Sequence, residues 1–249
     1  MAVSSQLGAR RKVALVTGGG RRLGRQSALA LARDGWDIAV NYAHSASGAE
    51  RTVNEIKRAG ADAISIKADI SDSNQVDKMF QDAIQHFSKI DLLVNNAAIF
   101  PPPKRITDLS DELWNRVISI NLTGQFYCAR AAARAMERSG GKMINFASLG
   151  GLQVWTEYIE YNVAKAGVIM LTRALSKALA PKIVVNAIAP GTIIVPGEES
   201  GEVKHLEEKK IPLGHYGEPH DITGAVLYLA HADYVTGQVI YVDGGRAVL

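Results

Sequence analysis

Short apolar runs of β-forming residues alternate along this chain with longer segments of helical period, and that alternation leaves few folds open. The runs are KVALVT, DIAVNY, AISIKAD, IDLLVNNA, KMINFAS, KIVVNAIAP and QVIYVDGG. Helical patterns lie between them: through Ala32, around 49–59, over 74–87, and in two long stretches on either side of KMINFAS. Strand, helix and strand in succession make a crossover unit, which implies a parallel sheet covered on both faces. Right-handed crossovers then give a single-domain Rossmann fold, a doubly wound and mostly parallel seven-stranded sheet. Capping residues agree, with Ser110 before DELWNRVI and Ser71 or Ser73 before NQVDKMF. The domain is read as 12–249, after a flexible N-terminal tail over 1–11. Residues 192–218 carry clustered charge and are too many for a plain connection; they are expected to form a substrate lid.

Composition narrows the function classes. The chain contains no apolar run of membrane-spanning length, so no membrane role is expected. Cys128 is the only cysteine, which excludes an internal disulfide and suits a reducing cytoplasm. It lies inside a helical pattern and reads as a core residue. The net charge of +3 comes from scattered basic residues, whereas a nucleic-acid surface needs a concentrated basic face. Histidines show no metal-ligand spacing, and no metal is proposed.

The first strand runs into TGGGRRLG, residues 17–24. A glycine-rich turn between a strand and a helix can hold a pyrophosphate on backbone N–H groups, since a Cβ would block the tight turn and the phosphates' approach. Gly18 and Gly24 keep the backbone close, and Leu23 begins the helix. A site that prefers NAD has an acidic residue near the end of the second strand, on the ribose 2′-OH. Here that strand ends VNYAHSAS, with no carboxylate from Asn41 to Ser47. A 2′-phosphate meets no repulsion there, and Arg21, Asn41, His44 and Ser45 can bond it. NADPH/NADP+ is therefore the expected cofactor.

The chemistry points to a later stretch. Tyr161 and Lys165 stand four residues apart at the start of a helical run and so share one face, and Ser148 follows an apolar strand. Strand C-terminal ends are where ligands bind in this architecture. A phenol with a pKa of about 10 needs a neighbouring cation to act as an acid near neutral pH, and Lys165 can supply it. Tyr161 would then protonate a carbonyl oxygen that Ser148 orients. Tyr158 has Asn162, not a lysine, four residues on, and is set aside. Trp155 and Glu157, between Ser148 and Tyr161, are candidates for pocket walls.

Together these residues resemble the short-chain dehydrogenase/reductase family over nearly the whole chain. TGGGRRLG is similar to its cofactor turn, Asp69-Ile70 to its adenine contact, and the NNAA that includes Asn96 and Ala97 to its strand-four motif. Asn121 in NLTG, Ser148, Tyr161 and Lys165 fit its catalytic tetrad; Pro190, Gly191 and Thr192 resemble its nicotinamide-side motif, and VDGG its C-terminal signature. The resemblance implies cofactor contacts from Tyr161 and Lys165 as well, a water relay past Asn121, and a homotetramer packed through the alanine-rich helices around 122–138 and 162–180. It implies a carbonyl reductase similar to the β-ketoacyl-[acyl carrier protein] reductases, with a small-molecule substrate that a carrier protein could deliver. Two departures keep another reading open. Arg22 stands where the family has glycine, and RRLG resembles the turn of pteridine reductases. Phe100 falls where those enzymes stack an aromatic on the pterin, and is equally suited to closing the pocket rim. Against this, those enzymes commonly have aspartate at the position of Ser148. A non-catalytic NADPH-binding sensor would predict a damaged tetrad, and this one is whole.

Overall fold

The computed structural model describes residues 11–198 and 208–248. Seven strands, β1 (Lys12–Val16), β2 (Trp36–Tyr42), β3 (Ala63–Lys67), β4 (Leu92–Asn95), β5 (Gly141–Phe146), β6 (Ile183–Pro190) and β7 (Val239–Val242), form one sheet in the order β3-β2-β1-β4-β5-β6-β7. Every neighbouring pair is parallel, so the sheet is more uniform than the mostly parallel one expected. The helices are α1 (Arg22–Arg33), α2 (Ala46–Arg58), α3 (Ser73–Phe87), α4 (Asp111–Ile118), α5 (Gly124–Ala135), α6 (Ile159–Leu179) and α7 (Pro219–His231).

Strand pleating explains the two layers. In β1, Ala14 and Val16 pack with α1, α2 and α7, while Val13 and Leu15 pack with α3 and α5. All four are essentially sealed from solvent, so the strand reads as a continuous apolar run. The order of strands reverses between β1 and β4, and the crevice at their C-terminal ends is where a doubly wound sheet takes its ligand.

Several local expectations need correction. The cap of α3 is Asp72, not Ser71 or Ser73: its carboxylate accepts the Gln75 side-chain amide and the Gln75 and Asn74 N–H groups, which together hold its pKa below the usual carboxylate range. Helix α2 starts at Ala46, ahead of the expected 49; Ala46, Ser47 and Gly48 carry no apolar period by which the sequence could have announced its first turn. Arg11 is not part of a loose tail. Its guanidinium donates to the carbonyls of Ala32, Gly35 and Gly60 and lies 3.3 Å from Asp37, which fastens the entry to β1; residues 1–10 lie outside the described residues. Ser110 caps α4, accepting the Leu113 N–H at 3.2 Å, and Cys128 is fully buried, its thiol pushed up by the apolar surroundings. The ends of the segment 192–218 pair with each other, Ile194 N–H to Gly217 O at 2.9 Å and Gly217 N–H to Thr192 O at 3.0 Å. Its middle, 199–207, lies outside the described residues.

Candidate active site

The turn after β1 is built around close backbone approach. Gly18 has a φ of +64°, and a Cβ on Gly24 would run into the Gly18 carbonyl and the Asn96 amide. Thr17 and Asn96 lace this turn to the end of β4. The Thr17 hydroxyl accepts the Asn96 and Ala97 N–H groups at 2.9 and 3.0 Å, and the Asn96 amide donates to Thr17 O at 2.8 Å. Helix α1 starts without a side-chain cap from Arg21 and without an acidic residue in its first turn. A cradle that any side chain would fill, facing a helix N-terminus, fits a dinucleotide's pyrophosphate.

Residues assigned to the adenosine side separate into two groups. Arg21 and His44 are exposed at the crevice rim, and Ser45 starts α2 without spending its hydroxyl on a cap. Asn41 is different. The sequence places it on the 2′-phosphate, but the fold turns it inward, 1% exposed, and commits the whole amide. It donates to the Ile66 and Ala68 carbonyls and accepts the Gly18 N–H at 3.2 Å, so it braces the turn from behind. Asp69 accepts both the N–H and the hydroxyl of Ser71, and buried Ile70 packs against Gly124. Arg22, which stands where the family has glycine, is bonded to Glu198.

The residues that the sequence assigns to the chemistry converge on the end of β5. Ser148 is 6% exposed, and its oxygen accepts the Gly150 N–H at 3.2 Å, which leaves its own proton to donate. Tyr161 and Lys165 occupy one face of α6. The Lys165 ammonium donates to Phe146 O at 2.7 Å, two residues before Ser148, and lies 5.8 Å from the centre of the Tyr161 ring. Burial disfavours its charge and brings its pKa down from 10.5 to about 7. Lys165 is thus a titrating group near neutral pH rather than a permanent cation. Asn121 sits in a π-helical turn, Ser119–Thr123, that joins α4 to α5. Its amide is anchored to Ile99, accepting that residue's N–H and donating one N–H to its carbonyl, both at 2.8 Å. A water relay past Asn121 would draw on the main chain of the widened turn, since the side chain is already anchored to Ile99.

By fixing Ile99, Asn121 also fixes Phe100. The Phe100 ring, 36% exposed, stacks on Tyr158 at 4.9 Å and meets Tyr161 edge-on at 4.9 Å. Trp155 lies parallel to Tyr161 at 6.1 Å, so aromatic faces surround the phenol. Tyr158, set aside from the chemistry in the sequence, is part of this wall. On the other side, Gly191 lies against Asp243, and the Thr192 hydroxyl accepts from Arg246 at 3.1 Å. A cavity of about 260 Å³ opens beside Thr192, lined by Ile211, Leu213, Tyr241 and Asp243 among others. Sequence reasoning missed Arg246 and Glu198, whose partners lie 54 and 176 residues away. Among the described residues, no group of three or more His, Cys, Asp or Glu is placed to hold a metal ion, and no helix is long and apolar enough to cross a membrane.

Comparison with known proteins gives concordant matches. Residues 20–247 match the family described as enoyl-(acyl carrier protein) reductase. A 3-oxoacyl-[acyl-carrier-protein] reductase of Synechocystis sp. is 39% identical, over 95% of this chain and 97% of its own. The corresponding FabG protein of Staphylococcus aureus is 40% identical, over 94% of this chain and 97% of its own. A crystal structure of a short-chain type dehydrogenase/reductase from Mycobacterium marinum superposes with a TM-score of 0.87 at 36% identity, covering 94% of this chain and 95% of that one.

Proposed function

The chain belongs to the short-chain dehydrogenase/reductase family of oxidoreductases, and from that premise we propose that it reduces a ketone carbonyl with NADPH. What carries the reading is a buried Lys165 ammonium, one helical turn from Tyr161 and bonded to the strand end that also carries Ser148. Bound NADPH supplies the hydride. Tyr161 gives the carbonyl oxygen its proton, and the Ser148 hydroxyl donates to the same oxygen and orients it. Lys165 in its charged form favours the tyrosinate left behind, and main-chain groups around Asn121 lead a replacement proton inward. Gly18, Leu23 and Gly24 form the pyrophosphate cradle together with the Arg22 N–H, and Arg21, His44 and Ser45 take the 2′-phosphate. Asp69 and Ile70 border the adenine, while Asn96, Ala97, Pro190, Gly191 and Thr192 line the nicotinamide side.

The substrate read from the relatives is a β-ketoacyl thioester, delivered on an acyl carrier protein in the cytoplasm to a homotetramer, with 192–218 as the lid. A second reading is favoured by one observation, the half-exposed Phe100 face within the aromatic cluster at Tyr161. A flat ring would stack there, as a pterin would with its C=N bond presented for reduction. NADPH oxidation measured side by side with β-ketoacyl thioesters, diketones, sugars and dihydrobiopterin-type pterins separates the two. Turnover confined to the pterins would displace the ketone reading, and turnover of none would end both.

A further inference from the structure

The first backbone N–H groups of an α-helix have no partner within the helix and attract anions. In α1 the Arg22 N–H has a partner from far along the chain: it donates to the Glu198 carboxylate at 2.9 Å. The Arg22 guanidinium folds over the same residue and donates to its main-chain carbonyl at 2.6 Å. One residue of the glycine-rich turn thus grips both the carboxylate and the backbone of Glu198. Arg22 does so at a φ of +46°, in the left-handed region that favours glycine. A glycine would adopt that turn without strain, but it has no guanidinium to hold the Glu198 carbonyl.

We propose that Glu198 is an internal competitor for the dinucleotide's pyrophosphate and that Arg22 holds it in place. This rests on the reading of the 17–24 turn as the cofactor site. A pyrophosphate seated on the N-terminus of α1 uses the same donors, and two anions cannot share the Arg22 N–H without repulsion. Binding the cofactor therefore breaks the Glu198 carboxylate contact, and the affinity measured is the difference between the two anions. Glu198 lies six residues after Thr192, which lines the cavity on the nicotinamide side. The exchange couples arrival of the cofactor to release of the stretch between them, and it frees the Arg22 guanidinium to face phosphate.

The test is calorimetric titration of Glu198→Gln with NADPH at low salt, alongside thermal melting without cofactor. Gln keeps an acceptor of similar shape and removes the charge. The dissociation constant should fall by about five- to thirtyfold, the effect of an anion at a partly buried helix N-terminus. The melting temperature without cofactor should fall or stay level, so affinity rises with no gain in stability. A purely structural Glu198 would weaken both together. The double variant Glu198→Gln/Glu199→Gln excludes replacement of one carboxylate by its neighbour in sequence. An affinity within twofold of the parent, or weaker, in both variants overturns the proposal while leaving the cofactor site intact. A parent protein that binds neither NADPH nor NADH overturns the cofactor reading and this inference with it.

Discussion

Replacing Lys165 with Met should stabilise the protein at pH 6 and lose that advantage by pH 10. Burial brings the ammonium from 10.5 to about 7. At about 1.36 kcal/mol per pH unit, the fold disfavours the charged form by at most roughly 5 kcal/mol. In the unfolded chain the lysine keeps its proton up to about 10.5, whereas the folded protein gives it up above about 7. Between those values the unfolded state binds more protons, so this group makes stability rise with pH. Below that window both states are charged and the whole penalty stands; above it both are neutral and the penalty is gone. Met fills a similar linear volume without charge. Phe146 O keeps a donor in the variant, because Gln125 also bonds it at 3.2 Å.

An effective interior permittivity well above that of dry protein reduces the ceiling by about half, to about 2–3 kcal/mol. In a chain of this size that is a melting advantage of roughly 5–10 °C for the variant at pH 6. By pH 10 about 0.8 kcal/mol of the penalty is left, because the unfolded lysine still holds much of its proton, and the hydrogen bond that neutral Lys165 keeps offsets about that much. Calorimetric melts at fixed protein concentration and without cofactor measure it, since subunit assembly and ligands both shift the midpoint. A difference between the two proteins that is the same at pH 6 and pH 10 would refute the argument, because it would mean that Lys165 is not desolvated.

Tyr161→Phe should lower turnover at least about a hundredfold, the contribution of a positioned general acid, with NADPH affinity changed by less than about threefold; retained turnover in a stopped-flow assay would take the proton donor elsewhere. Arg21→Ala should weaken NADPH about tenfold or more and leave NADH unchanged in fluorescence titration, since in the proposed site it removes a charged donor used by the 2′-phosphate alone. Equal losses for both cofactors would place Arg21 outside that contact. Gly24→Ala puts a methyl group into the Gly18 carbonyl. It should abolish NADPH binding or cost more than about 2 kcal/mol in urea unfolding, and a variant with parental affinity and stability would disprove the tight turn. Phe100→Ala should raise KM several-fold more for ring-bearing than for small aliphatic substrates; an equal rise would leave Phe100 a rim residue.

Much of this molecule is legible in the one-dimensional pattern. The period-two and helical-period segments settle the strands and most helices because burial on a sheet face or a helix stripe is dictated by neighbours a few residues away. Val13 and Leu15 against Ala14 and Val16 is that rule at work. The same holds for the site residues that sit at strand ends or one helical turn apart, such as Ser148, and Tyr161 with Lys165. Their positions follow from the alternation and the doubly wound sheet.

What the sequence leaves undecided depends on partners that only the strand order brings together. Asn41 looks like a phosphate ligand until β3 and the Gly18 turn, on opposite sides of it, claim its amide. Asn121 looks like a relay until Ile99 takes both ends of its side chain. Lys165 has the usual lysine pKa in any extended peptide, and only burial at the end of β5 makes it titrate near neutrality. Arg22 and Glu198 are 176 residues apart, and no local period relates them. Sequence determined the scaffold and the order of the chemical groups, since those follow from short-range periodicity. Tertiary structure decided which of those groups keep a free donor or charge for a ligand, because that depends on long-range burial and on hydrogen bonds already made.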